Sequence, residues 1–295
     1  MAEEVWMLQT KKADFKQIGA RFRIDPVTAR IIRNRGIEGE AAIDRYLNGT
    51  LDDLYDPMLL KDMERAVSIL CEAVDTGKKI RIVGDYDIDG VCSTYILLQA
   101  FERLGSDVDF EIPDRIKDGY GINESIIEQA HADGVEVILT CDNGISAFHQ
   151  VELAKKYGMT VVITDHHEVP LDGEKEKIPP ADAVIDPKQA DCPYPFPEIC
   201  GAVVAYKLVQ VLYARRGVPQ MEWLDLLEFA AIATVGDVMK LQDENRILVK
   251  YGLKKMAQTK NLGLRRLAEK NNLDLGAITA YHIGFVIGPC LNAGG

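Results

Sequence analysis

Long apolar runs are absent from this sequence. None reaches about 18 uncharged residues, which excludes a helical membrane span. The opening MAEEVWMLQTKK is acidic and has no apolar h-region, so the chain reads as cytoplasmic rather than secreted. Cysteine is sparse and unpatterned. The six, Cys71, Cys92, Cys141, Cys192, Cys200 and Cys290, form no CxxC pair and no zinc-like spacing, and they read as reduced thiols used mainly in packing. Positive charge is short: 34 Lys and Arg against 46 Asp and Glu leave a net charge of −12. That argues against a simple polyanion binder but leaves room for a local basic groove or a metal site built on carboxylates. Low-complexity runs and internal repeats are missing too. With 47% hydrophobic and 27% charged residues the chain is not disordered, and 295 residues can bury a full core without disulfide staples.

What is present from about residue 62 onward is alternation. MERAVSILCEAVDTG, STYILLQAFERLG, NESIIEQAHADG and SAFHQVELAKKYG read as helices. Between and after them KKIRIVGD, DVDFEIP, VEVILTCD and MTVVITDHH read as strands. This spacing predicts βαβ units, hence an α/β fold with a mostly parallel sheet covered by helices on both faces. A proline-rich loop over about 168–198 contains one further short strand, ADAVID. A helical C-terminal part follows: GAVVAYKLVQVLYARRG, MEWLDLLEFAAIATVGD, ENRILVKYGLKKMAQ and a short helix near 263–270. Residues 1–55 read as a separate N-terminal basic segment. Its first 35 residues carry eight cations against four carboxylates, a local charge of +4, and DPVTARIIRNRG reads as a short helix with Pro26 in its first turn. That helix is either a solvated face or a nucleic-acid-contacting arm. The chain closes on FVIGPCLNAGG, a glycine pair after an apolar strand-like run, which points to a fragment of a longer protein.

The chemistry gathers at strand ends. IRIVG runs into Asp85, VEVILTC into Asp142, and MTVVIT into Asp165, His166 and His167. Parallel strands place their carboxyl ends on one edge, where open α/β sheets bind ligands. The loop GDYDIDG holds Asp85, Asp87 and Asp89, three carboxylates that repel unless a cation or proton neutralises them. A calcium loop is the rival for that segment, but the twelfth position is Ile96 rather than a bidentate Glu, and the loop joins a strand to a helix. Asp142-Asn143-Gly144 alone reads as a generic turn. Adjacent histidines beside an Asp favour a metal or phosphate role. Asp237 ends an apolar helix, where the helix dipole disfavours a carboxylate without a cation. Arg246 pairs either with a phosphate or with Asp243 or Glu244. Together Asp87, Asp89, Asp142, His166 and Asp237 compose a two-metal site of hard oxygens plus imidazole, suited to Mn²⁺ or Mg²⁺ rather than structural zinc. Such a pair of ions clamps the attacking and leaving oxygens of a phosphoryl displacement, so the residues alone reach a two-metal phosphoesterase.

Over about residues 56–295 the ordered motifs GDYDIDG with Ser93, IPDRIKDGYGIN, CDNGIS, Asp165-His166-His167, AVIDPKQ with CPYPFPEICGAVVAYKL, TVGDVMKLQDENR and IGPCLNAGG resemble the DHH phosphoesterase family, and within it the branch of single-strand-specific exonucleases. The resemblance implies a catalytic domain over 56–258 and a connecting region over 259–295 leading to a subdomain termed DHHA1. It implies metal ligands at Asp87, Asp89, Asp142, His166 and Asp237, with Asp85 in or just behind the ligand set. His167 would face the scissile phosphate, and Asn292 and Gly294 would help hold the nucleotide. The implied activity is hydrolysis of single-stranded DNA, 5′ to 3′, to 5′-mononucleotides in repair and recombination, with a single-strand-binding protein and a helicase as partners. Cys290 stands where the family's last motif has an arginine, which implies a weaker grip on the strand. Two alternatives remain. One is a small-substrate relative (oligoribonuclease, cyclic-dinucleotide phosphodiesterase or pyrophosphatase), disfavoured because Val83 stands where those carry a histidine. The other is a non-catalytic Cdc45-like replication factor, disfavoured because every carboxylate is in place.

Overall fold

The computed structural model describes residue 7, residues 11–116 and residues 119–293. It divides into two compact units, Met1–Leu54 and Tyr55–Gly295. Among the described residues the first holds three short α-helices, α1 (Phe15–Phe22), α2 (Pro26–Asn34) and α3 (Glu40–Asn48). Asp25 caps α2 by accepting from the amides of Val27 and Thr28, and Pro26 takes the first turn, where its missing N–H costs nothing. Ile32, Ile37 and Ile43 form the small core, packed by Ile18, Phe22, Ile24, Tyr46 and Leu47. Helices α1 and α3 went unread in the sequence because each spans little more than two turns, too short for a periodic signal.

The second unit opens with α4 (Met63–Thr76) and then alternates: β1 (Ile80–Val83), α5 (Ile88–Arg103), β2 (Val108–Glu111), α6 (Glu124–Ala132), β3 (Val137–Cys141), α7 (Phe148–Lys156) and β4 (Thr160–Thr164). A two-residue hairpin, β5 (Leu171–Asp172) with β6 (Lys175–Glu176), interrupts the loop before β7 (Ala183–Ile185). The five main strands are all parallel, in the order β2-β1-β3-β4-β7. Both β1 and β3 are buried along their whole length, as strands covered on two faces must be. Helices α6 and α7 cover one face, against Ile138, Val161, Ile163 and Val184. Helix α8 (Gly201–Arg215) packs on β3 and β4 from the other face, flanked by α5 and α4. From β1, Arg81 reaches to Asp109 on the edge strand β2 and to Asp133 with hydrogen bonds of 2.7–2.9 Å.

The chain leaves β1 toward β2 on one side and later returns to build β3, β4 and β7 on the other. Strand order therefore reverses between β1 and β3, and ligands of such sheets bind in the crevice at that point. Register sharpens this. Val83 pairs with Thr140, Cys141 with Thr164, and Thr164 with Ile185. Continued one or two residues past the strand ends, it sets Asp85, Asp142, Asp165 and Asp186 in a single row along the carboxyl edge. The ladder indeed runs on, since Asp142 donates its amide to Thr164 and Asp165 to Ile185.

Beyond α8 lie α9 (Gln220–Leu224), α10 (Leu227–Gly236), α11 (Asp243–Met256), α12 (Leu262–Lys270), the single turn α13 (Ala280–His282), a π-helical turn Ile283–Ile287 and α14 (Gly288–Asn292). Two expectations change here. The stretch read as one helix over MEWLDLLEFAAIATVGD breaks into α9 and α10. The C-terminal apolar run is helical rather than strand-like: Ile283 and Ile287, four apart, share one buried face while Phe285 is exposed. A short apolar run does not tell the two apart by pattern. Among the described residues, no helix is long and apolar enough to cross a membrane.

Helices α8 and α11 are joined by a buried ion pair, Lys207 Nζ to Glu244 Oε2 at 3.0 Å, with Tyr194 donating its hydroxyl to the same carboxylate. Removing one partner of such a pair leaves an uncompensated charge in the core. Lys207→Met is expected to lower stability by about 3–5 kcal/mol, and Lys207→Met/Glu244→Leu to recover much of it, read from urea denaturation.

Candidate metal centre

The loop after β1 is shorter than its sequence suggests, because α5 starts at Ile88, inside the acidic motif. Asp87 thereby becomes the N-cap, its Oδ1 accepting from the amides of Asp89 at 2.9 Å and Gly90 at 3.0 Å. Asp89 falls in the first turn and is buried. Its two oxygens accept from the amides of Gly201 and Ala202, at 2.7 and 2.8 Å, the first residues of α8. A helix N-terminus favours a carboxylate, so the end of α8 holds Asp89 in place and stabilises its charge. Only glycine fits at 201: an added Cβ would lie 2.7 Å from the Cβ of Asp142.

Asp142 follows β3 in a left-handed conformation, with φ 60°, and is buried. The next residue, Asn143, ties the switch point together. Its Nδ2 donates to the carbonyls of Val83 and Cys141, and its Oδ1 accepts from the amide of Ile122. His166 comes from the end of β4, and Asp237 is the C-cap of α10. His166 Nε2 lies 3.0 Å from Asp142 Oδ1, 3.4 Å from Asp89 Oδ2 and 3.9 Å from Asp237 Oδ2. Ligand atoms of Asp89, His166 and Asp237 fall within 4.8 Å of one another, and so do those of Asp85, Asp87 and Asp142.

The electrostatics of this cluster are strained. Burial pushes the Asp142 carboxyl well above the ordinary range, and the charges of Asp89, Asp87 and Asp165 push it further. Asp237 is raised to about 7 by burial, then by Asp89 and Asp87. Burial also raises Asp85, against hydrogen bonds from backbone amides. His166 is lowered by burial even though Asp89 pulls the other way, so its ring is neutral. Asp142 Oδ1 and Asp85 Oδ2 are buried oxygens without a hydrogen-bond partner. A neutral imidazole nitrogen facing three carboxylate oxygens, a further buried acceptor in Asp85 Oδ2, and, among the described residues, no Lys or Arg in the cluster make a donor set that a divalent cation fits.

Beside the cluster stands a second arrangement. Asp165 is buried. Burial alone would raise it, but the hydrogen bond and charge of His167 and the amides of Ile145 and His166 outweigh that and hold it below the ordinary range. His167 Nδ1 lies 2.7 Å from Asp165 Oδ1, and this hydrogen bond raises the imidazole's pKa against its burial. Tyr120 donates its hydroxyl to the Asp142 carbonyl at 2.7 Å and sits 3.1 Å from His167 Nε2. Tyr86 meets Tyr120 edge-on, and Arg115 stacks over Tyr86 at 4.5 Å.

Seven residues singled out in the sequence thus converge: Asp85, Asp87, Asp89, Asp142, His166, His167 and Asp237. Arg246 is half-buried in the first turn of α11. Asn292 ends α14, its Oδ1 buried and without a partner. Gly294 lies outside the described residues. Four contributors were assigned no role of their own. Asp186 ends β7 and obeys the same strand-end rule that exposed Asp85 and Asp142; burial, then the charge of Asp165, raises it to about 7. Asp165 was read as a strand-end acid but given no role of its own. Asn143 was passed over as a turn, and Tyr120 had no signal beyond its glycine-flanked loop.

Comparison with known proteins fits this geometry. The chain is 37% identical over 291 residues to the single-stranded-DNA-specific exonuclease RecJ of Bacillus subtilis, an alignment that covers 98% of this chain and 36% of that protein. It therefore spans little more than a third of the length of that relative. Its fold is similar to a crystal structure of exonuclease RecJ bound to manganese, with TM-score 0.70 and 34% identity over 79% of this chain and 57% of that one. It is similar also to RecJ in complex with Mn²⁺ from Thermus thermophilus, with TM-score 0.74 and 30% identity over 93% and 38% of the two chains. Residues 79–234, more than half of the chain and the whole parallel sheet, match the N-terminal domain of the DHH family, and the chain belongs to that family.

Proposed function

We propose that this chain carries the nuclease centre of a metal-dependent, single-strand-specific exodeoxyribonuclease. In this reading it hydrolyses phosphodiester bonds of single-stranded DNA from the 5′ end and releases 5′-mononucleotides, in cytoplasmic DNA repair and recombination. A single-strand-binding protein and a helicase would be its partners. The observation that carries the reading is the convergence of Asp85, Asp87 and Asp142 with Asp89, His166 and Asp237 around unpaired buried donor atoms. The RecJ relatives supply the substrate class, and six unpaired cysteines accord with a reducing compartment.

Asp87, Asp89, Asp142, His166 and Asp237 would hold two ions, Mn²⁺ or Mg²⁺, with Asp85 behind them. Bound there, the ions supply Lewis acidity toward the phosphodiester and neutralise charge on its oxygens. The remaining work belongs to the protein. Asp165 keeps the proton of His167 on Nδ1 and raises its basicity, so the outward Nε2 can carry a second proton toward a phosphate oxygen. Tyr120 fixes the far side of that imidazole and the backbone of Asp142 at once. The α8 amides hold the Asp89 carboxylate in position through two hydrogen bonds. Arg246, Asn292 and Gly294 would contact the nucleotide.

Asp142→Asn is expected to reduce kcat for mononucleotide release from single-stranded DNA in Mn²⁺ by at least about a hundredfold. It should leave the metal-free melting temperature unchanged or higher, because a crowded like charge is removed. Near-normal turnover in that variant at saturating Mn²⁺ sinks the two-ion reading.

Stability should also report the crowding. Asp186 and Asp237, raised to about 7, bind a proton more tightly folded than unfolded. Their stabilising contribution is full below the ordinary carboxyl value of 3.8 and is lost as pH rises through about 7. His166, held neutral by burial, acts in the opposite sense, but only below its ordinary value of 6.5. The metal-free melting temperature is therefore expected to fall between about pH 4 and about pH 7 and to level off above that, and Mn²⁺ or Asp237→Asn to flatten the fall. A metal-free melting temperature that climbs across this window contradicts the assignment.

A further inference from the structure

The residues gathered at the metal centre all belong to Tyr55–Gly295, and the first two helices of Met1–Leu54 have a recognisable build of their own. Helix α1 and helix α2 pack on each other across a turn of only three residues, Arg23, Ile24 and Asp25. Arg23 sits in the left-handed region with φ 54°, and the amide of Ile24 donates back to the Gly19 carbonyl at 3.1 Å. At Gly19 an added Cβ would lie 2.7 Å from the Ile24 carbonyl oxygen, so the close approach of helix and turn requires a residue without one. A small residue in the first helix, a left-handed turn residue four positions later, an apolar residue after it and a capped second helix compose a helix–turn–helix. Ile18, Ile24, Ala29 and Ile32 face inward and lock the pair.

The outward face of α2 has the chemistry of a groove reader. Val27 is 66% exposed and Ile31 51%, one turn apart, with the exposed Arg30 beside Ile31 and its guanidinium 4.5 Å over the Phe15 ring. Apolar side chains on such a helix meet thymine methyl groups, and arginine meets guanine. Charge agrees. Residues 11–35 hold eight cations against two carboxylates, a local +6 in a chain of −12. Arg21 and Arg33 are engaged by Glu40 and Glu38, whereas Lys11, Lys12, Lys16 and Arg23 are exposed around the turn and at the start of α1. In helix–turn–helix modules that position crosses the phosphate backbone while the second helix enters the major groove.

We propose that Met1–Leu54 is a helix–turn–helix module that binds double-stranded DNA, with Val27, Arg30 and Ile31 of α2 in the major groove and Lys12 and Lys16 on the phosphates. A substrate with a single-stranded end and a duplex behind it would then be held at two places by different chemistry. The claim stands apart from the nuclease reading, because it concerns duplex binding without catalysis.

The test uses the whole chain in EDTA, so that nothing is cleaved. A fluorescein-labelled dumbbell duplex, sealed at both ends by short hairpins, is titrated by anisotropy across salt concentrations beside a linear single strand. Wild type is expected to bind the dumbbell. Arg30→Ala/Ile31→Ala should weaken dumbbell binding at least about tenfold while leaving single-strand binding and the melting temperature unchanged. Lys12→Ala/Lys16→Ala should lower the slope of log affinity against log salt by about two. Absence of dumbbell binding by wild type at low salt overturns the proposal. Equal affinity in the Arg30/Ile31 variant overturns it too, as does a parallel loss for dumbbell and single strand.

Discussion

Like-charge crowding at the carboxyl edge of the sheet is the constraint on which the rest of this structure depends. Asp85, Asp142, Asp165 and Asp186 lie in one buried row, with Asp87, Asp89 and Asp237 brought against it from helix ends. Burial and mutual repulsion both oppose ionisation, so each carboxylate needs its own compensation. The structure supplies three kinds. Asp89 takes two amides from the start of α8. Asp165 takes His167 and the Ile145 amide. Asp85 and Asp142 keep a buried oxygen without a hydrogen bond, and the excess negative charge that remains there fits a divalent cation.

This division explains why the helical C-terminal part belongs to the same compact unit as the sheet. Helix α8 presents its N-terminus to Asp89, α10 delivers Asp237, and the Lys207–Glu244 pair together with Asn245 holds α11 against the segments that flank them. Asn245 donates to the carbonyls of Glu198, just before α8, and Lys240, just after α10. Packing far from the cluster therefore sets the distances within it. The same logic separates the two histidines. One imidazole is stripped of solvent and neutral among carboxylates. Its neighbour leans on a single carboxylate, keeps an exposed edge and is biased toward the protonated form.

Much of this was legible beforehand for a simple reason. In a parallel sheet every strand ends on the same edge, so an acid after an apolar run can be assigned a location without coordinates. That rule finds Asp85, Asp142 and the residues after β4, and applied to ADAVID it also reaches Asp186. Asp237 was legible as a carboxylate at the wrong end of a helix dipole. Asn143 was not, because an Asn-Gly turn looks the same whether or not its side chain bridges two strands and a distant loop.

By itself the sequence determined the alternation of strands and helices, the parallel sheet, the edge on which the acids gather and the hard-donor character of the site, since each follows from local periodicity and the chemistry of single residues. Tertiary structure alone decided which groups face one another. That the amides of Gly201 and Ala202 clamp Asp89, more than a hundred residues away, depends on how α8 docks on β3 and β4. That Asp165 serves His167 while His166 turns to Asp89, Asp142 and Asp237 depends on opposite side-chain directions at successive positions leaving β4. Hydrogen bonds and like-charge distances of this kind are set by packing between distant segments, and no local pattern encodes them.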